Sequence, residues 1–165
     1  MLRKNLFFII GLIFLFLFSC KQSTDNESFS NVNKNVVLQS SNGFTIAKNY
    51  SDLKEKIKPY IIERFGKDVD FVIDNVMYLE SKKEVAAIIF YTTNKNISSN
   101  IIQKYSLNTI DEAGGGSGGV TTVWCEGTCS DGSGCITSGT IKPDGSVTFK
   151  CSCSPCKLKI KQETR

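Results

Sequence analysis

Val120–Arg165 reads VTTVWCEGTCSDGSGCITSGTIKPDGSVTFKCSCSPCKLKIKQETR and holds six of the seven cysteines of the chain. They are Cys125, Cys129, Cys135, Cys151, Cys153 and Cys156, spaced C-x3-C-x5-C-x15-C-x-C-x2-C. Pro143-Asp144-Gly145 interrupts two runs rich in β-branched residues, Ile136–Lys142 and Ser146–Ser152. A turn of this kind between such runs predicts a β-hairpin. Pairing Lys142 with Ser146 places Thr137 opposite Cys151 and Cys135 opposite Cys153. Directly opposed residues of an antiparallel pair sit near disulfide distance, so Cys135–Cys153 is the preferred bridge. Cys125, Cys129, Cys151 and Cys156 remain for two further bridges, whose connectivity spacing alone does not fix. Lys157–Lys161 (KLKIK) alternates and predicts a last edge strand, with lysines that discourage edge-to-edge association.

Three uses of this sulfur compete. The first is a disulfide framework, since a segment of this size buries too little apolar surface to fold unaided. The second is an all-sulfur metal site for zinc, copper or an iron–sulfur cluster, built from Cys151, Cys153 and Cys156 with Cys125 or Cys129 as a fourth ligand. The third is thiol–disulfide exchange. Cys153-Ser154-Pro155-Cys156-Lys157 resembles the C-x-P-C-K active site of thioredoxin-like oxidoreductases, and Trp124-Cys125 resembles their Trp-Cys. That family opens a helix with the motif, near the start of its fold, whereas only nine residues follow Cys156 here. The framework is the expected use and no resident cofactor is expected.

N-terminal to this module, Gly114-Gly115-Gly116-Ser117-Gly118-Gly119 reads as a flexible linker over residues 111–119. Residues 36–110 predict a small α+β domain. Ser51–Phe65 places Leu53, Ile57, Ile61 and Phe65 on one helical face, with Ser51 as N-cap and Gly66 past the end. Pro59 predicts a kink or restart, because it lacks the N–H and clashes with the preceding turn. Val69, Phe71 and Ile73 alternate with Asp68, Asp70, Val72 and Asp74, a half-buried strand. Val76–Leu79 continues it past a bulge or bend. Ser81-Lys82-Lys83 then turns the chain into Glu84–Thr93 (EVAAIIFYTT), giving an antiparallel hairpin. Val36–Leu38 and Phe44–Ala47 are short strands around Ser40-Ser41-Asn42-Gly43. Ile101, Ile102 and Tyr105 suggest one helical turn. The expected fold class is α+β: a helix on an antiparallel sheet, followed by a separate disulfide-rich β module.

The first residues are of another kind. Arg3 and Lys4 precede Leu6–Phe18, thirteen residues without a polar side chain. A basic start followed by a short apolar run reads as a secretory signal over residues 1–19. Its end, Leu17-Phe18-Ser19-Cys20, resembles the lipobox of bacterial lipoproteins. The resemblance implies cleavage before Cys20 and lipidation of Cys20, hence attachment to a membrane. Lys21 after Cys20, by analogy with lipoprotein sorting in Gram-negative cells, points to the outer membrane, periplasmic or surface face. Residues 20–35 are polar apart from Phe29 and Val32 and read as a tether.

The 165 residues carry 20 Lys+Arg against 16 Asp+Glu and no histidine. Without Arg3 and Lys4 the balance is 18 against 16, too even to suggest a nucleic-acid partner. The missing histidine excludes Ser-His and Cys-His catalytic pairs and histidine metal ligands. Asp68, Asp70 and Asp74 read as a solvated strand face, and Asp131-Gly132-Ser133 as a turn rather than half of a calcium loop. Trp124 reads as packing on a disulfide. The chain is expected to be a membrane-anchored envelope lipoprotein, non-enzymatic, meeting an envelope or surface partner.

Overall fold

The structure is a computed structural model, and it describes residues 36–107 and 119–163. The signal, Cys20, the tether and Gly114–Gly118 lie outside the described residues.

Strand β1 (Leu38–Gln39) pairs with β2 (Thr45–Ala47). Helix α1 (Tyr50–Phe65) follows. Strands β3 (Phe71–Glu80), β4 (Glu84–Thr93), β5 (Ser98–Ser106), β6 (Val120–Glu126) and β9 (Lys157–Glu163) form one antiparallel sheet in that spatial order. Strands β7 (Thr137–Ile141) and β8 (Val147–Cys151) form a separate two-stranded hairpin.

The α+β class stands, but the two halves share one sheet: β6 and β9 of the cysteine-rich segment extend it beyond β5. Ile101 pairs with Trp124 and Tyr105 with Val120, while Val123 pairs with Ile160. The expected boundary at the glycine run is therefore a connection between neighbouring strands. The expected helical turn at Ile101, Ile102 and Tyr105 is likewise strand β5. Ile101 and Tyr105 join the core under α1, and Ile102 joins the core on the opposite face. A central strand covered on both sides needs no apolar alternation, which is why it lacked a strand pattern.

Asn49, not Ser51, caps α1: its side chain accepts from the Asp52 amide at 2.9 Å. Leu53, Ile57 and Ile61 are fully buried. Burying side chains of this size contributes about 1.5–3 kcal/mol each. The helix runs through Pro59 as one element. Pro59 and Glu55 are both exposed, so the Glu55 carbonyl that loses its helical donor can turn to water. Gly66 ends the helix at φ 94°, a conformation glycine adopts without a Cβ penalty, and its N–H reaches the Ile62 carbonyl at 2.9 Å.

The β3–β4 hairpin has the expected strands, and its register shifts between Ile73 and Asn75. This bulge keeps Val76 and Tyr78 on the α1 side with Phe71 and Ile73. Strand β4 is buried on both faces. Val85, Ala87, Ile89 and Tyr91 face α1, and Ala86 and Ile88 meet Val147 of the β7–β8 hairpin. The molecule is thus layered as helix, sheet and hairpin. Every residue of β9 is exposed, consistent with an edge strand.

Candidate functional site

The six cysteines come together at one end of the sheet as Cys125–Cys151, Cys129–Cys153 and Cys135–Cys156, with Cα separations of 5.7, 5.8 and 5.9 Å. The expected Cys135–Cys153 bridge is not made. The register behind it holds: Thr137 pairs with Cys151, and the Lys142 and Ser152 amides donate to the Ser146 and Ile136 carbonyls. The ladder then stops. At Cys153-Ser154-Pro155-Cys156 the chain turns, the Cys156 amide donating to the Cys153 carbonyl at 3.2 Å. This turn brings Cys156 over Cys135 and leaves Cys153 for Cys129.

The same geometry corrects the thioredoxin-like reading. Cys153-Ser-Pro-Cys156 is a turn leading into β9 rather than the start of a helix, and its two cysteines are bonded to other partners. Trp124 does not cover its neighbour's bridge. It stacks tilted against Tyr60 of α1 with ring centroids 5.6 Å apart, because consecutive strand residues point to opposite faces.

The loop Cys129–Ser133 is held by the Cys129 amide on the Ser133 carbonyl at 2.9 Å. Asp131 accepts from both the amide and the hydroxyl of Ser133, which holds its carboxyl below the usual carboxylate range. Asp144 binds Ser146 in the same way at the hairpin turn. Both are self-contained Asp-Gly-Ser turns, with the aspartate occupied. An open cleft of about 660 Å³ runs beside the loop, between Asn96–Ser98 and the Cys129–Cys153 bridge. Cys135 is fully buried, whereas Cys129 and Cys153 are half-buried and line this cleft.

Sequence reasoning missed the polar groups that hold the cysteine loops. Arg64 donates to the Tyr91 hydroxyl at 2.9 Å, the Ser99 hydroxyl at 2.6 Å and the Cys135 carbonyl at 3.3 Å. Ser99 also donates to that carbonyl at 2.6 Å. Burial pushes the Tyr91 hydroxyl up, against the opposing effect of the Arg64 charge. Glu84 pairs with Lys104 at 2.8 Å and accepts from the Val147 amide at 2.7 Å, tying the hairpin to the sheet. Only the place of Arg64 in the last turn of a helix was visible beforehand, and nothing local marked its partners. Of the three aspartates, Asp70 is fully exposed and paired with Lys54, and Asp74 accepts from Thr92 at the bulge. They form no paired-carboxylate site. No family model, curated protein or solved structure matches the chain.

Proposed function

We propose that the chain is a lipid-anchored protein of the bacterial envelope whose folded part is a non-enzymatic binding or structural module. The observation that carries this reading is the pairing of all six cysteines of the folded part into three disulfides. Such bridges form and persist outside the reducing cytoplasm. That agrees with an export signal and leaves Cys20 as the single odd cysteine, at the position where the lipobox resemblance requires it. Two or more acyl chains on Cys20 give stable attachment, where one gives only marginal binding. Lys21 favours the outer membrane as destination. The absence of histidine, and the use of Glu84, Arg64, Asp131 and Asp144 in holding the fold, favour binding over catalysis. The partner is an envelope or surface component.

The experiment is labelling with palmitate in cells, with and without globomycin. Label that requires Cys20, and precursor that accumulates under globomycin, are expected. Label retained by Cys20→Ala overturns the anchor. The intact non-reduced mass tests the framework, and each bridge lowers it by two hydrogens relative to the fully reduced chain.

A further inference from the structure

The Sγ atoms of Cys129, Cys135, Cys153 and Cys156 all lie within 4.8 Å of one another. They belong to two different bridges, yet Cys129 Sγ is 3.8 Å from Cys156 Sγ and Cys153 Sγ is 2.8 Å from it. The third bridge, Cys125–Cys151, is not part of this group. A tetrahedral zinc site with Zn–S bonds of about 2.3 Å has sulfurs about 3.8 Å apart along each edge. Opening the two bridges frees four Sγ atoms that already lie on this length scale. We propose that, with Cys129–Cys153 and Cys135–Cys156 reduced, these four cysteines form an all-sulfur site for one zinc ion.

The backbone supports this without help from the bridges. Cys135 is held through its carbonyl by Ser99 and Arg64. Two residues on, Thr137 is held by Asn100 through both its amide and its carbonyl. Cys156 immediately precedes β9, whose first residue pairs with Glu126 of β6. Cys129 follows that same strand by three residues. Cys153 lies two residues beyond β8, after Ser152, whose amide donates to the Ile136 carbonyl. Each ligand is therefore fixed by strand pairing or hydrogen bonding within a few residues. The donor set is four thiolates and no nitrogen, and four-fold sulfur coordination suits Zn²⁺, which has no geometric preference of its own.

The chemistry balances. Each bridge takes two electrons and two protons from one dithiol, which leaves as a cyclic disulfide, so two dithiols yield four thiols. A phosphine serves equally, becoming the phosphine oxide with the oxygen of water. Zinc binding then releases up to four protons, one from each thiol. The resulting charge is doubly negative, and the Arg64 guanidinium donates to the Cys135 carbonyl.

The test uses the full chain in detergent, reduced with a phosphine under nitrogen and titrated with Co²⁺ alone, then Zn²⁺ alone. The expected result is one ion per chain. Co²⁺ should give the intense thiolate-to-cobalt absorption of a four-sulfur tetrahedral site, displaced by one equivalent of zinc. Cys129→Ser and Cys156→Ser should each abolish that spectrum, while Cys125→Ser/Cys151→Ser keeps it. Reduced chain that binds no stoichiometric metal overturns the proposal, whether or not circular dichroism still shows the fold. So does an unchanged cobalt spectrum in Cys129→Ser. Should the Cys125→Ser/Cys151→Ser variant not fold, alkylation of the unmodified zinc-loaded chain decides. Protection of Cys129, Cys135, Cys153 and Cys156 that is lost on adding a chelator supports the site, and protection indifferent to the chelator overturns it. None of these outcomes depends on Cys20, so failure here leaves the anchor reading standing.

Discussion

Asn100 of β5 grips Thr137 of β7 by both backbone groups. Its Nδ2 donates to the Thr137 carbonyl and its Oδ1 accepts from the Thr137 amide, each at 2.7 Å. Both residues are about 1% exposed, so neither bond has water to replace it. Thr137 is the first residue of the hairpin laid over the sheet and stands two residues from Cys135. Asn100→Leu leaves two buried backbone groups unpaired, each costing about 1–3 kcal/mol. The expected loss in urea unfolding under oxidising conditions is about 2–5 kcal/mol. An Asn100→Leu protein within about 0.5 kcal/mol of the parent would refute this role.

The three bridges span 26, 24 and 21 residues. Loop-closure entropy is then nearly equal among them, about 3–3.5 kcal/mol each in the chain-entropy picture. Packing sets their order. Cys125 and Cys135 are fully buried, while Cys129 and Cys153 are half-buried beside an open cleft. Cys129→Ala/Cys153→Ala is therefore expected to be the mildest paired removal. Cys125→Ala/Cys151→Ala should cost about 1 kcal/mol more, from the cavity left in the core. Urea midpoints of the three paired variants give the order directly, and proteolytic mapping without reductant should recover cross-linked peptides of the stated pairing. A Cys135–Cys153 peptide would contradict it.

The hairpin register was legible in the sequence because Pro143-Asp144-Gly145 fixes which residues can oppose, and it correctly sets Thr137 against Cys151. The pairing of Cys135 was not, because the ladder ends at Cys151 and the turn at Cys153–Cys156 redirects the sulfurs. The bulge in β3 was readable from the broken alternation at Asp74. Strand β5 was not, since a strand covered on both faces loses its period. Whether Val120–Glu126 would meet Ser98–Ser106 depends on contacts distant in sequence, so the single sheet looked like two modules. The Arg64 and Asn100 ties share that limit: each is a polar residue whose partners lie 27 residues or more away.

Two glycines separate a rigid approach from a yielding one. A Cβ on Gly134 would stand 2.5 Å from the Ser98 carbonyl oxygen, which is backbone. A Cβ on Gly139 would stand 2.6 Å from Cδ1 of Leu79, the end of a flexible side chain. Gly134→Ala must therefore push the 128–134 loop off β5 and is expected to cost about 1–3 kcal/mol, as overpacking does. Gly139→Ala is absorbed by a rotation of Leu79 and should cost less. Thermal unfolding of the two variants side by side checks this, and the reverse order would count against the close approach of loop and strand.

Tyr60 makes the fold sensitive to alkali. Burial against Trp124 and β6 pushes its hydroxyl up to about 12, the Thr122 hydroxyl lowering and the Glu163 carboxylate further raising it. Tyr50 is likewise pushed up to about 12 by burial and then by the Asp74 charge. An unfolded tyrosine ionises near pH 10. The folded form therefore keeps its proton over a range where the unfolded chain has released it. The stability from each group is complete below about pH 10 and is lost as pH rises from about 10 to about 12. The contribution of Tyr60 shows as a difference between variants. Tyr60→Phe removes this one ionisation and leaves the ring stacked on Trp124. Its unfolding temperature should fall less than that of the parent between about pH 9 and pH 11, although it starts no higher. Identical falls in the two proteins would mean that the Tyr60 hydroxyl ionises in the folded state as readily as in water.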